Sequence, residues 1–209
     1  ETFELRVKNK IPDVLYLLEH PSTYTLGKTA DKNHLVGSEE FLSANKISVY
    51  DIDRGGDITY HGPGQIVGYP IINLDDWKRD THKYLRALEE TVIETCAEYG
   101  IIGGREPKYT GVWVEDRKIA AIGIKVSRWI TMHGFAFNVN TDLSFFSGII
   151  PCGIPDKDVT SINKEIKREV DIDVVKLKLL MNFEHIFGYT SVNHVTKEEI
   201  FSVNLTSVK

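Results

Sequence analysis

The chain has 209 residues, 42% of them apolar and 26% charged, with a formal net charge of −5. That length suits one domain with a self-supporting core, and the acidic balance argues against a generic nucleic-acid binder. No run approaches the roughly 18 apolar residues of a membrane span, and two cysteines are too few for a disulfide scaffold, which points to a reducing compartment. The start at Glu1, with neither a methionine nor a signal-like segment, is read as a trimmed end.

Val14 to Leu18 reads as a buried strand closed by Glu19-His20-Pro21. The polar stretch Thr29 to Ser43 is assigned no regular structure, and Ile47 to Asp53 resumes as a strand. A second apolar run, Ile66 to Leu74, follows the glycine-rich segment Arg54 to Pro70. Between Asp80 and Tyr99 the apolar positions Leu85, Leu88, Val92, Cys96 and Tyr99 have helical spacing, with Gly100 as the stop. Cys96 falls on that stripe and reads as a small core residue. Tyr109 to Val114 and Lys118 to Ile124 form a hairpin turning at Glu115 to Arg117, and Gly134 to Asn140 is a third strand. Regular alternation would put Lys118, Ala120, Ile122 and Ile124 on one face and Ile119, Ala121, Gly123 and Lys125 on the other. Ser147 to Pro155, with Cys152 inside it, is a loop by its Pro and Gly content. Asp171 to Phe187 is a second amphipathic helix ended by Gly188, and Thr196-x-x-Glu199 is a capping box for a short last helix. No repeat or linker divides the chain, so residues 1–209 are read as one domain.

The segment Arg54 to Pro70 is richer in glycine than a plain hairpin needs, and an Arg, a Thr, a Tyr, a His and a Gln sit among the glycines. The residues alone leave two readings open: a self-satisfied turn, or a backbone cradle for a ligand with Arg54 and His61 as polar anchors. The run Arg54-Gly55-Gly56-x-x-Thr59-Tyr60-His61-Gly62-Pro63-Gly64-Gln65 resembles the signature of the lipoyl(octanoyl) transferases (LipB), members of the biotin/lipoate protein ligase superfamily. Further similar motifs are Pro12-Asp13-Val14-Leu15-x-Leu17-Leu18-Glu19-His20-Pro21-x-x-Tyr24-Thr25-Leu26-Gly27, Lys118-Ile119-Ala120-x-x-Gly123, Pro151-Cys152-Gly153-Ile154 and Val159-Thr160-Ser161-Ile162. The resemblance spans about Pro12 to Ile162. The helix that opens the family pattern would have only Glu1 to Lys10 to form it here.

The resemblance implies an α/β (α+β) fold, a mixed sheet containing 47–53, 66–74, 111–115, 117–126 and 134–140, flanked by helices near 81–99 and 172–187. It implies transfer of an octanoyl group from octanoyl-acyl carrier protein, through a thioester on Cys152, to a lysine of lipoyl domains of 2-oxoacid dehydrogenase complexes and the glycine cleavage H protein. Thioester-to-amine transfer suits a thiolate nucleophile, and a cysteine needs a cationic neighbour to be ionised near neutral pH. By resemblance that neighbour is Lys118, which would then take a proton from the incoming amine. The acyl pocket would comprise Arg54, Gly55, Gly56, Asp57, Ile58, Thr59, Tyr60 and His61, together with Ala121, Ile122 and Gly123, and Gly134, Phe135 and Ala136. An activated donor needs no ATP, and neither a cofactor nor a metal site is expected; His61 and His133 lack ligand spacing and are read as hydrogen-bonding residues of the pocket wall. The expected protein is a monomer of the cytoplasm, or of an organellar matrix after loss of a transit peptide, with no nucleic-acid or membrane partner. Arg105 with Lys108, Lys125 with Arg128, and Lys164 with Lys167 and Arg168 are candidate basic patches for acidic partners. Three alternatives are an ATP-dependent lipoate or biotin protein ligase, a cysteine-dependent octanoyl transferase of another subgroup, and a non-catalytic homologue that binds acyl carrier protein. Only the last dispenses with chemistry altogether.

Overall fold

The computed structural model describes residues 1–151 and 158–202. Cys152 lies outside the described residues. The chain runs α1 (Thr2–Val7), β1 (Val14–Leu18), β2 (Thr23–Leu26), a 3-10 turn (Lys32–His34), α2 (Glu39–Ala44), β3 (Ser48–Asp51), β4 (Ile58–His61) and β5 (Gln65–Ile71). It continues with α3 (Thr81–Ala97), β6 (Gly104–Glu106), β7 (Tyr109–Val114), β8 (Arg117–Ser127), β9 (Ile130–Asn138), a second 3-10 turn (Leu143–Gly148), α4 (Ile162–Ile166), α5 (Ile172–Phe187) and α6 (Lys197–Ser202). Among the described residues, no helix is long and apolar enough to cross a membrane and no group of three acidic, His or Cys residues is placed to hold a metal.

The two long helices begin and end where side-chain chemistry requires. The Asp80 carboxylate accepts from the backbone N–H of His82 and Lys83 at the start of α3, and Asp171 does the same for Asp173 and Val174 at the start of α5. Such caps contribute about 1 kcal/mol each. Gly188, at φ 81°, takes the left-handed conformation that closes α5. Leu88, Val92 and Cys96 of α3 and Val175, Leu179 and Phe183 of α5 meet one face of the large sheet in the main core. Cys96 is fully buried there, and burial, with the nearby Glu165 charge adding to it, pushes its thiol up to about 12. Its place in the core is the one its helical position predicts.

The large sheet has six strands in the order β1-β5-β9-β8-β7-β6, all antiparallel. The predicted strand 47–53 is not among them, which corrects the single-sheet expectation. β3 pairs in parallel with β2, and β2 pairs antiparallel with β4, making a separate three-stranded sheet. The reason is that Ser48 to Asp51 has no apolar face: all four residues are exposed, and only Ile47 before them is buried. The Ile58–His61 part of the glycine-rich segment is instead a fully buried strand, with Ile58 and Tyr60 packed into a second small core against Tyr24, Leu26, Phe146 and Ile149. In the polar stretch expected to be irregular, Ser38 caps α2, accepting from Phe41 N–H, and Glu39 and Glu40 lie in its first turn.

One register matters for the site. Val112 faces Ala120, but Trp113 faces Lys118, so β8 carries an extra residue at Ile119. Ile119 and Ala120 consequently both enter the main core. A β-bulge of this kind inverts the alternation on one side of it. Regular alternation would set Lys118 and Lys125 on opposite faces; the bulge puts both on the face away from α3 and α5. That is a correction to the sequence reading.

Candidate active site

On that face, the segment from Ile52 to Asp57 folds over β8 and β9 and leaves a slot between itself and the sheet. Gly55 N–H donates to the carbonyl of Ile124 at 3.0 Å, and Gly56 takes φ 88°, so the segment can turn back at close range. The floor is made of small residues. A Cβ on Gly123 would stand 2.7 Å from the Gly55 carbonyl oxygen, closer than real Cβ contacts. Cross-strand pairing sets Ala121 beside Ala136 and Gly123 beside Gly134.

Of the residues assigned to the pocket from sequence, Arg54, Gly56, Asp57, Ile58, Thr59 and His61 line the slot from above. Ala121, Ile122, Gly123, Gly134, Phe135 and Ala136 line it from below. Two are placed elsewhere. Gly55 lies against the Ile124 carbonyl rather than in the lining, and Tyr60 alternates away from its neighbours Thr59 and His61, stacking on Phe145 in the second core. His133, read from the sequence as a wall residue, lines the slot as well, and Ile52, Val67, Tyr69 and Thr110 complete the lining without having been foreseen. For Val67 and Tyr69 the signal was available: both share β5's inward phase with Gln65. Tyr69 is held by a 2.7 Å hydrogen bond between its hydroxyl and His20 Nε2.

The polar end of the slot has a single consistent set of proton positions. The amide nitrogen of Asn138 donates to the Thr160 carbonyl (3.0 Å), which leaves Asn138 Oδ1 to accept from Gln65 Nε2 (2.9 Å). Gln65 Nε2 also donates to the Tyr60 carbonyl (3.0 Å), so Gln65 Oε1 faces His61 Nδ1 (2.9 Å) and accepts from it. His61 therefore carries its proton on Nδ1, and its Nε2 accepts from the Thr25 hydroxyl at 3.3 Å. Burial lowers the His61 pKa to about 4, so the ring is neutral near physiological pH. The Thr25 oxygen in turn accepts from Arg54 Nε (3.3 Å) and Nη2 (3.0 Å), and the Thr25 carbonyl accepts from Nη2 at 2.6 Å. Thr25, Gln65 and Asn138 thus pin the two anchors, Arg54 and His61.

Lys118 is buried on the slot face. Its Nζ sits 4.7 Å from the centre of the Trp113 ring, its cross-strand partner. Its Cε is 3.6 Å from where a Cβ on Gly111 would stand, next to Thr110 of the lining. The backbone of Lys118 receives the chain that follows Cys152: Lys118 N–H donates to the Asp158 carbonyl and Thr160 N–H donates to the Lys118 carbonyl, both at 2.9 Å. On the other side of Cys152, Ile150 N–H donates to the His34 carbonyl (2.8 Å), and the His34 ring is paired with Asp57 of the cradle. The approach of Cys152 to Lys118 that the resemblance implies falls outside the described residues.

At the other end of the slot, Asp53 bridges Lys125 and His133. Hydrogen bonding to Lys125, then to His133, lowers the Asp53 pKa from 3.8 to about 2. Its contribution is present above the ordinary carboxylate value and is lost as pH falls toward 2. Asp53 is half exposed, so the pair is weak as a stabiliser. Lys125→Ala is accordingly expected to slow turnover only a few-fold, about what a loosened cradle edge costs. It should also return the Asp53 carboxyl toward 3.8, which side-chain carboxyl NMR shifts between pH 2 and 6 would register. Of the other candidate basic residues, Arg105 is engaged by Glu89 and Glu90 and Arg128 by Glu4. Lys164, Lys167 and Arg168, beside the Thr160 segment, are exposed.

The slot thus has a floor of small and apolar residues, Ala121, Gly123, Gly134 and Ala136, beneath a polar cradle that carries Arg54 and His61. The model of the lipoyl protein ligase A/B catalytic domain matches residues 1–184. The chain belongs to this family. The octanoyltransferase of Christiangramia forsetii is 52% identical over 200 residues, covering 90% of this chain and 86% of that protein. The octanoyltransferase of Thermoanaerobacter pseudethanolicus is 50% identical over 202 residues, covering 96% and 87%. Among solved structures, a lipoate-protein ligase A bound with ATP superposes with a TM-score of 0.77 at 16% identity, covering 97% of this chain and 85% of that one. A bi-partite lipoate protein ligase from Thermoplasma acidophilum gives 0.74 at 16% identity, with the same coverage. At such identities these two establish the shared biotin/lipoate ligase fold. The family members at about half identity carry the octanoyltransferase name.

Proposed function

We propose that the chain is an acyltransferase that moves an octanoyl group from a carrier-protein thioester to a protein lysine through a thioester on Cys152. The observation that carries this is the identity of about one half, over most of the chain, to octanoyltransferases. The slot beside Lys118 and the return of the chain after Cys152 onto the Lys118 backbone support it. The Cys152 thiolate attacks the donor carbonyl, and the carrier's pantetheine sulfur leaves with a proton from the Lys118 ammonium, which makes Lys118 a neutral amine for the next step. The octanoyl group then sits on Cys152 with its tail along Ala121, Gly123, Gly134 and Ala136, under Arg54 and Gly56. The amine of the acceptor lysine attacks this second thioester, gives up a proton to Lys118, and the amide forms as the Cys152 sulfur departs. Neutral His61 and apolar walls suit an alkyl tail that brings no charge of its own. The donor is octanoyl-acyl carrier protein and the acceptors are lipoyl domains, including those of 2-oxoacid dehydrogenase complexes and the H protein. The working unit is a monomer in the cytoplasm or an organellar matrix, and Lys164, Lys167 and Arg168 steer the acidic donor.

An ATP-dependent ligase on the same fold is the weaker reading, since it needs no cysteine. Incubation with octanoyl-loaded carrier protein, without ATP, is expected to add one octanoyl mass to the intact chain, mapped to Cys152 after digestion. Transfer that requires ATP and free octanoate, with no adduct, would reject the proposal.

A further inference from the structure

The large sheet forks beside Lys118. β9 pairs with β8 as far as Phe137 and Ala120, but with β5 one residue further, at Asn138 and Gln65. Beyond that point the place next to β8 is taken by the segment Asp158 to Thr160, which runs parallel to it with Val159 opposite Lys118. Both backbone polar groups of Lys118 bond to this segment. The gap at the fork is spanned by side chains. Asn138 reaches the Thr160 carbonyl, Gln65 reaches Asn138, and Gln65 is also tied to the Tyr60 carbonyl and to His61. Gln65 and Asn138 are 1% and 4% exposed, deep enough that the pair needs a full set of partners.

We propose that Gln65 and Asn138 are positioning residues for Lys118: they hold the Asp158–Thr160 segment, and with it the Lys118 backbone, in register with the acyl slot. Two features separate this from ordinary satisfaction of buried polar groups. The pair does more than satisfy itself, since it also serves the Thr160 carbonyl on one segment and the Tyr60 carbonyl and His61 ring on another. The amides also have one direction, ending on a backbone carbonyl whose own N–H donates to the Lys118 carbonyl. The contact thus reaches Lys118 through a single peptide segment. Thr160 is held from its side chain too, by a hydrogen bond from its hydroxyl to Glu165, so loss of the amide contact should misplace the segment without releasing it.

This inference rests on the reading of Lys118 and Cys152 as a working pair, and its test keeps the two apart. The paired variant Gln65→Met with Asn138→Leu removes both polar groups, while Asn138→Asp keeps the acceptor for Gln65 and replaces the donor to Thr160 by a carboxylate oxygen that repels that carbonyl. Each would be compared with the wild-type chain by thermal melt, by steady-state kinetics with octanoyl-carrier protein, and by amide exchange of residues 158–161. In a variant that melts near wild type, kcat should fall about 10- to 100-fold, as for a catalytic group shifted by up to 1 Å. KM should stay within about twofold in Asn138→Asp, which leaves Gln65 on the His61 ring of the slot wall. The Thr160 amide should lose protection that core amides of α3 keep. Folded variants with wild-type kcat and Thr160 protection would overturn the proposal. Failure of both variants to fold would also overturn it, by assigning the pair to stability. If the wild-type chain forms no adduct on Cys152, the dyad reading fails, while local exchange at Thr160 still reports whether the amides hold the segment.

Discussion

Replacing Cys152 by Ala is expected to abolish both the octanoyl adduct and transfer, and Cys152→Ser to leave little, because an alcohol lacks the thiolate's nucleophilicity near neutral pH. Lys118→Ala should remove most transfer, about 10²- to 10⁴-fold for loss of a positioned acid–base group. The two halves of the reaction make different demands on Lys118, and Lys118→Arg separates them. An arginine keeps a positive charge over the Trp113 ring but does not give up its proton. Acylation of Cys152 should therefore persist, with the carrier's sulfur leaving as a thiolate, while delivery of the acyl group to a lysine amine stalls and the adduct accumulates. Cys96→Ala is the control, since that thiol is buried in the main core and held protonated. Intact-mass time courses with and without an acceptor domain would read all of these. Equal loss in both half-reactions for Lys118→Arg would show that its charge alone is not what activates the thiol.

The parts of the molecule legible in the sequence are those whose periodicity comes from a single buried face. α3 and α5 fall where spacing and capping place them, because each packs one stripe on one sheet. The strands of the large sheet other than β6 read well for the same reason. What periodicity missed depends on partners distant in sequence. β4 was hidden inside a glycine-rich run because its two faces serve different ends, Ile58 and Tyr60 the second core and Thr59 and His61 the slot. β3 looked like a core strand because Ile47 and Ile52 bracket it, yet its own residues are exposed. The bulge at Ile119 carries no compositional mark, and one inserted residue moved Lys118 to the slot face. The glycine motif did mark the segment that folds over the slot, with Arg54 and His61 in its lining. Gln65 stands in that motif and Thr25 in the run before it, but neither discloses Asn138 or that the three are joined, since a hydrogen-bond chain across three strands leaves no spacing in the sequence.

Gly123→Val is expected to cost at least about 100-fold in the rate of Cys152 acylation while leaving the melting temperature near that of the wild-type chain. Gly123 lies on the floor of the slot, where a Cβ would meet the Gly55 carbonyl oxygen at 2.7 Å and Arg54 Cδ at 3.1 Å. The nearest of these is a backbone atom held by the Gly55 to Ile124 hydrogen bond, so it cannot turn aside as a flexible side-chain end would. The added methyls must lift the cradle or occupy the space of the acyl tail, and a displacement near 1 Å is enough to cost about 10²-fold. The main core lies on the other face of β8 and does not register the change. Gly123→Ala should give an intermediate loss, because a single Cβ already makes the contact. Gly104→Ala provides the comparison, since a Cβ there meets nothing within 4 Å. Wild-type acylation in Gly123→Val, measured by single-turnover mass spectrometry, would mean that the octanoyl chain does not run along this floor.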